Sequence, residues 1–300
     1  MNRITLPLLT LGLSLAPVLC WATEPNADQA KAIAEIKSLG GKVTFEEKTL
    51  GKPVVGVDLG RSAVTDAGLA NLKGFAHLQY LDLWGTKVTD AGLEHLKGLT
   101  KLQILKLFET KVTDAGLIHL KGLSQLQSLD LRRTEVTDAG LLHLKGLTKL
   151  KSLYLGGTNV TDTCLVNLKC FTELEELNLF DTKVTDAGLV HLKDLPRLQS
   201  LNLLGTEEVT DAGLDHLKGL TKLKSLYLEG TNVTDAGLEH LKGLTELQAV
   251  NLGGTKITDA GLDCLKGLSE LHLLLLRRTK VTDDGVKKFL QAVPDCKIER

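Results

Sequence analysis

The stretch Leu78–Lys101, LQYLDLWGTKVTDAGLEHLKGLTK, returns in near-copies from Val54 to Asp295. Ten copies stand in register, starting at Val54, Leu78, Leu102, Leu126, Leu150, Leu174, Leu198, Leu223, Leu247 and Leu271; each has 24 residues, except where Glu207 and Glu208 fill one normal position and where the last copy runs out. Inside one copy the period changes. Leu81 and Leu83 alternate with Tyr80, Asp82 and Trp84, the pattern of a strand with one buried face. In VTDAGLEHLKGL the leucines Leu93, Leu96 and Leu99 recur every third residue, Thr89 and Asp90 read as helix caps, and Gly98 reads as the left-handed residue that ends the helix. One strand and about two turns of helix cannot bury these leucines alone, so successive copies must stack strand beside strand. The expected fold is an α/β solenoid with a parallel sheet on the concave face and short helices, the bulkier layer, on the convex face. At about 4.8 Å between strands, the concave arc is on the order of 50 Å long.

Residues 1–22 stand apart. Arg3 precedes the apolar run Ile4–Leu19, and Cys20-Trp21-Ala22 ends in the small residue that signal peptidase needs, so this segment reads as an export signal cleaved after Ala22. The run is short for a membrane span. Lipid attachment at Cys20 is disfavoured, because Leu19 sits where lipoprotein signals carry a small residue. Residues 23–53 are expected to form an amino-terminal cap: a helix through Ala30, Ile33, Ala34 and Ile36, then a strand at Lys42–Phe45. The repeats occupy 54–295, with an altered last helix carrying Val286, Phe289 and Leu290 and ending at Pro294; residues 296–300 are expected to add a closing strand. The formal net charge of −1 is spread through every copy, which argues against nucleic acid or another polyanion as the partner. Cys164, Cys170, Cys264 and Cys296 have neither a disulfide-framework nor a zinc spacing and read as small buried residues.

The framework LxxLxLxxTxVTDAGLxxLxxLxx, sustained over ten copies, resembles the leucine-rich repeat, and VTDAGL resembles its cysteine-containing subtype, seen in the recognition arms of F-box adaptors. In layout the chain is similar to exported leucine-rich repeat proteins of planctomycete and related bacteria. The resemblance implies a horseshoe and a binding role, often toward proteins. Two departures qualify it. The usual Asn ladder at the strand ends is replaced by Ser62 and then Thr86, Thr110, Thr134, Thr158, Thr182, Thr206, Thr231, Thr255 and Thr279, whose hydroxyls can bond the turn backbone with fewer donors. No F-box sequence precedes the repeats, so a ubiquitin-ligase role is not expected to carry over.

Three rows recur with the repeat. The histidines His95, His119, His143, His191, His216 and His240 lie along one side of successive helices, which duplication explains better than a metal site. Lysines from Lys73 to Lys266 stand at the helix ends, where a cation suits the helix dipole. Aspartates from Asp66 to Asp283 read as helix caps. No metal or other cofactor is expected.

Function is sought where the copies disagree. The three outward positions of each strand hold six of the ten aromatic residues outside 1–22, although the core has no use for aromatics there. Trp84, Phe108 and Arg132 share one column, beside an Asp82, Lys106, Asp130 column of alternating sign. With Tyr80, Tyr154 and Phe180 these make the candidate ligand-binding residues of the concave face, because exposed aromatic and Arg groups are the stuff of interface hot spots. The expected partner is a protein, ahead of a glycan or peptide. No Gly-rich phosphate loop, nucleophile elbow or carboxylate pair lies outside the repeating framework, so an enzyme is not expected. A structural spacer, an F-box-like adaptor and, last, a hydrolase are the alternatives.

Overall fold

The structure is a computed structural model that describes residues 27–49 and 51–300. Twelve strands run in sequence order through one sheet. They are β1 (Lys42–Phe45), β2 (Val54–Asp58), β3 (Tyr80–Asp82), β4 (Ile104–Lys106), β5 (Ser128–Asp130), β6 (Ser152–Tyr154), β7 (Glu176–Asn178), β8 (Ser200–Asn202), β9 (Ser225–Tyr227), β10 (Ala249–Asn251), β11 (Leu273–Leu275) and β12 (Lys297–Glu299). β1 pairs antiparallel with β2; every later pair is parallel, with equivalent residues of successive copies opposite one another. Backbone bonds such as Gln103 N to the Gln79 carbonyl (2.8 Å) and Leu83 N to the Lys106 carbonyl (2.9 Å) extend each ladder beyond its strand. The signal reading of 1–22 lies outside the described residues.

The leucine spacing builds the core directly. Leu81, Leu83, Leu93 and Leu96 are each 0 % exposed, and their counterparts in the other copies repeat this along the molecule. Phe75 and Phe171 take the place of Leu99 in their copies and are as deeply buried. The helical layer is thin: one α turn, as at Asp90–Leu93, continued by a 3-10 turn, as at Glu94–Leu96. At the first edge, helix Ala27–Ser38 adds Ala32 and Ile36 to the core. At the other, helix Asp283–Leu290 buries Phe289, and β12 pairs with β11.

Two local roles differ from the expectation. Thr89 alone caps its helix, accepting from Ala91 N (3.3 Å), whereas the aspartate beside it reaches the next copy. Asp66 accepts Thr89 N–H (2.8 Å) and Thr89 Oγ1–H (2.7 Å), Asp90 does the same for Thr113, and the row continues to Asp259 and Thr282. The aspartates are therefore inter-copy clasps, formed because the carboxylate points along the solenoid and each Thr offers two donors at its helix start. The glycine of VTDAGL makes room for the clasp: a Cβ at Gly140 would lie 2.3 Å from Asp114 Oδ1. Cys164 holds this place in one copy, and there the clasp from Asp138 to Thr161 is retained.

The second correction concerns the turns. Gly98 is not left-handed; a side chain there would meet nothing within 4 Å, because the 3-10 winding leads the chain out without a reversal. The left-handed residue lies on the other side of the copy, just past the strand, at Gly85 (φ 64°), Gly157 (69°) and their counterparts. Arg61, Glu109, Arg133, Asp181 and Arg278 take the same conformation despite their side chains. The expected turn role of the threonines holds: Thr86 Oγ1 donates to the Leu83 carbonyl at 2.7 Å, with equivalent bonds through Thr279. The extra residue at Glu207-Glu208 is absorbed in the turn, and the Asp186–Thr210 clasp spans it intact.

Candidate functional site

Strands β3 to β6 place the candidate residues on the concave face. Trp84 and Phe108, each just past the end of its strand, stack with centroids 5.8 Å apart and planes 18° from parallel. The Arg61 guanidinium lies 4.1 Å from the Trp84 ring centroid, on the side of the preceding copy. Arg132 lies 5.0 Å from the Phe108 centroid and 5.4 Å from that of Tyr154; Arg133 approaches Phe108 at 5.7 Å. The result is a continuous cation–aromatic row, Arg61–Trp84–Phe108–Arg132–Tyr154, across five neighbouring copies. Each cation over a ring contributes about 0.5–1 kcal/mol when exposed, which biases the side chains toward this arrangement.

A second cluster lies beside it. Tyr80 donates to Asp82 Oδ2 (2.9 Å), Lys106 donates to the Tyr80 hydroxyl (3.1 Å), and the Lys106 ammonium sits 3.2 Å from Asp82. Burial raises the Tyr80 hydroxyl above its ordinary range, and the bond to Asp82 pushes the same way. Asp130 is held by Arg132, its own neighbour, through Nε (2.9 Å) and Nη2 (2.6 Å), and not by Lys106. The bond to Asp130 raises the already high Arg132 pKa further, so this guanidinium is a fixed cation. Asp82 and Asp130 face the concave side yet are only 7 % and 5 % exposed, because they also accept backbone N–H groups of Trp84 and Arg132 and lie under longer side chains. They orient the patch and are not open to a ligand.

Tyr154 closes the row by donating to Glu176 in the next copy. Burial and that bond raise its hydroxyl to about 12. Phe180 is set apart: its ring lies across Gly156, where a Cβ would come within 2.0 Å of Cδ1. Arg61 and Arg133 were missed in the sequence reading because they fall one residue beyond the outward triplets; their left-handed turns swing the side chains back over the sheet. Trp84 Nε1 is covered and has no hydrogen-bond partner, which leaves one donor of the patch unused. An open cleft of about 470 Å³ lined by Gln127, Thr148, Lys149, Lys151, Thr172 and Glu173 lies on the strand-entry rim, away from the row.

The recurring rows keep to the framework. Among the described residues no group of three or more His, Cys, Asp or Glu side chains is placed to hold a metal ion, and the four cysteines are free thiols. Cys164, Cys264 and Cys296 are buried and Cys170 half-buried. No helix of the described residues is long and apolar enough to cross a membrane.

A solved structure shares the fold at a TM-score above 0.5. The internalin InlF from Listeria monocytogenes str. 4b F2365 superposes with a TM-score of 0.54 at 19 % identity, over 92 % of this chain and 95 % of that one. Internalin C2 from the same strain gives 0.49 at 23 % identity over 86 % and 94 %, and the PEPR1–AtPEP1 structure gives 0.47 at 17 % over 82 % and 41 %. No curated protein matches the chain. The model of the leucine-rich repeat region matches residues 61–236 and a second leucine-rich repeat model matches 244–266. With more than half of its length matched by that model, and with a copy-by-copy sheet to go with it, the chain belongs to the leucine-rich repeat family.

Proposed function

We propose that this is an exported, non-enzymatic binding protein that takes a protein partner on its concave face, centred on Tyr80, Trp84, Phe108 and Arg132. The observation that carries this reading is the row Arg61–Trp84–Phe108–Arg132–Tyr154. The repeat does not require it, since Gly, Leu or Glu fills the Trp84 position in other copies. Its arginine is locked by Asp130 before any partner arrives, so little side-chain entropy remains to be lost on binding. Half-buried aromatic and Arg groups held in this way are the usual centres of protein interfaces. Export rests on residues 1–22, with Thr23 as the first residue of the mature chain.

The test is recovery of the partner from the extracytoplasmic fraction, followed by calorimetry on purified components. Trp84→Ala and Arg132→Ala should each weaken binding by about 1–3 kcal/mol. His216→Ala, on the convex framework, should not. Binding that survives both concave substitutions refutes the placement.

A further inference from the structure

The convex face is not uniform. At the position of Glu94 four copies carry an acid, and each pairs with the lysine three residues on: Glu94–Lys97 at 3.3 Å, Asp215–Lys218, Glu239–Lys242 at 2.6 Å and Asp263–Lys266 at 2.6 Å. Four consecutive copies instead carry Ile118, Leu142, Val166 and Val190. The first three are the large apolar residues standing exposed among those described, at 41 %, 47 % and 42 %. Lys121, Lys145, Lys169 and Lys193, three residues beyond them, are exposed and have no ion-pair partner among the described residues. On the other flank Ala115, Ala139, Thr163 and Ala187 are small and exposed. Beyond them runs the aspartate row, Asp114 to Asp186.

We infer that these four copies form a second docking surface, for a polypeptide segment with an apolar stripe and carboxylates along one edge. Charge placement selects this occupant. A segment can set its acids over the unpaired lysines alone, whereas an anionic lipid surface would lay charge over the aspartate row as well. A second copy of this chain fits poorly: setting the aliphatic rows face to face about a two-fold axis brings Glu94 against Asp215 when the rows run antiparallel, and each of these acids against itself when they run parallel.

A displayed library of helical peptides selected on the folded protein tests this. Peptides that bind should carry an apolar stripe edged with Asp or Glu. They should lose about tenfold or more in affinity on Leu142→Asp, weaken with Lys145→Glu and with added salt, and bind Trp84→Ala unchanged. Leu142→Asp should melt as the unaltered protein does, and Leu142→Lys provides a second apolar-to-charged variant with the opposite sign. Selection of peptides without acids, equal binding to both Leu142 variants, or no enrichment overturns the inference. Vesicles containing phosphatidylglycerol that bind the unaltered protein but not Leu142→Asp would assign the surface to lipid and overturn it too.

Discussion

Removing one inter-copy clasp in the middle of the solenoid separates the two roles that an aspartate beside a helix cap can play. Asp114 accepts Thr137 N–H at 2.7 Å and Thr137 Oγ1–H at 2.6 Å. A hydrogen bond to a charged group contributes about 1.5–3 kcal/mol when protected, and less at a half-exposed site where water can replace it. Two such bonds, discounted for exposure, and a share of helix-dipole stabilisation put Asp114→Ala at about 2–3 kcal/mol. Asp283 is the internal control, because it holds the same place in the last of the ten copies and accepts from no threonine of another copy among the described residues. Its side chain pairs with Arg300 at the exposed end of the molecule. Asp283→Ala should cost about 1 kcal/mol or less, the scale of a surface ion pair. Urea titrations of both variants, with unchanged slopes, give the comparison directly. Equal losses at the two positions would refute the clasp and restore the local cap.

Leu129→Ala should cost about 2–5 kcal/mol because Leu129 is 0 % exposed, while Ser128→Ala, one residue earlier on the concave side, should stay within about 0.5 kcal/mol; equal losses in denaturant melts would show the register to be wrong. Tyr154 should ionise at about 12, against about 10 for a free tyrosine. Its folded pKa is raised, so the stabilisation it gives is complete below pH 10 and lost as pH climbs through 12; the tyrosinate absorbance difference between the protein and Tyr154→Phe measures this, and a midpoint near 10 would contradict it.

Leucine spacing made the fold legible, since a period of two followed by a period of three leaves one way to bury both sets. What escaped was decided by contacts across copies or by turn geometry. Asp90 beside Thr89 suits a local cap as well as a clasp, and only the position of Thr113 in the next copy chooses between them. The left-handed turn was hidden because Glu109, Arg133, Asp181 and Arg278 occupy it where other copies have glycine, while the Gly98 position, glycine in most copies, does not need it. Alternation named the side on which Asp82 and Asp130 lie, but not that Lys106, Tyr80 and Arg132 would cover them. The aromatic row was visible as a column, and its two flanking arginines were not, because a positive φ redirects a side chain in a way that strand alternation does not encode.

The clasps, the turn threonines and the leucine core each close within a copy or between adjacent copies, so stability is shared out along the chain and the remaining positions are free to vary. The departures gather in overlapping copies on opposite faces: aromatics and arginines inside from Trp84 to Tyr154, aliphatics and unpaired lysines outside from Ile118 to Lys193. A fully buried leucine layer lies between them, and no side chain of one row touches the other among the contacts described. Trp84→Ala and Leu142→Asp should therefore combine additively in stability, within about 0.5 kcal/mol, as separated sites without shared partners do. A coupling well above that in a double-mutant cycle would mean that the core transmits strain between the faces, and the two surfaces would then have to be treated as one.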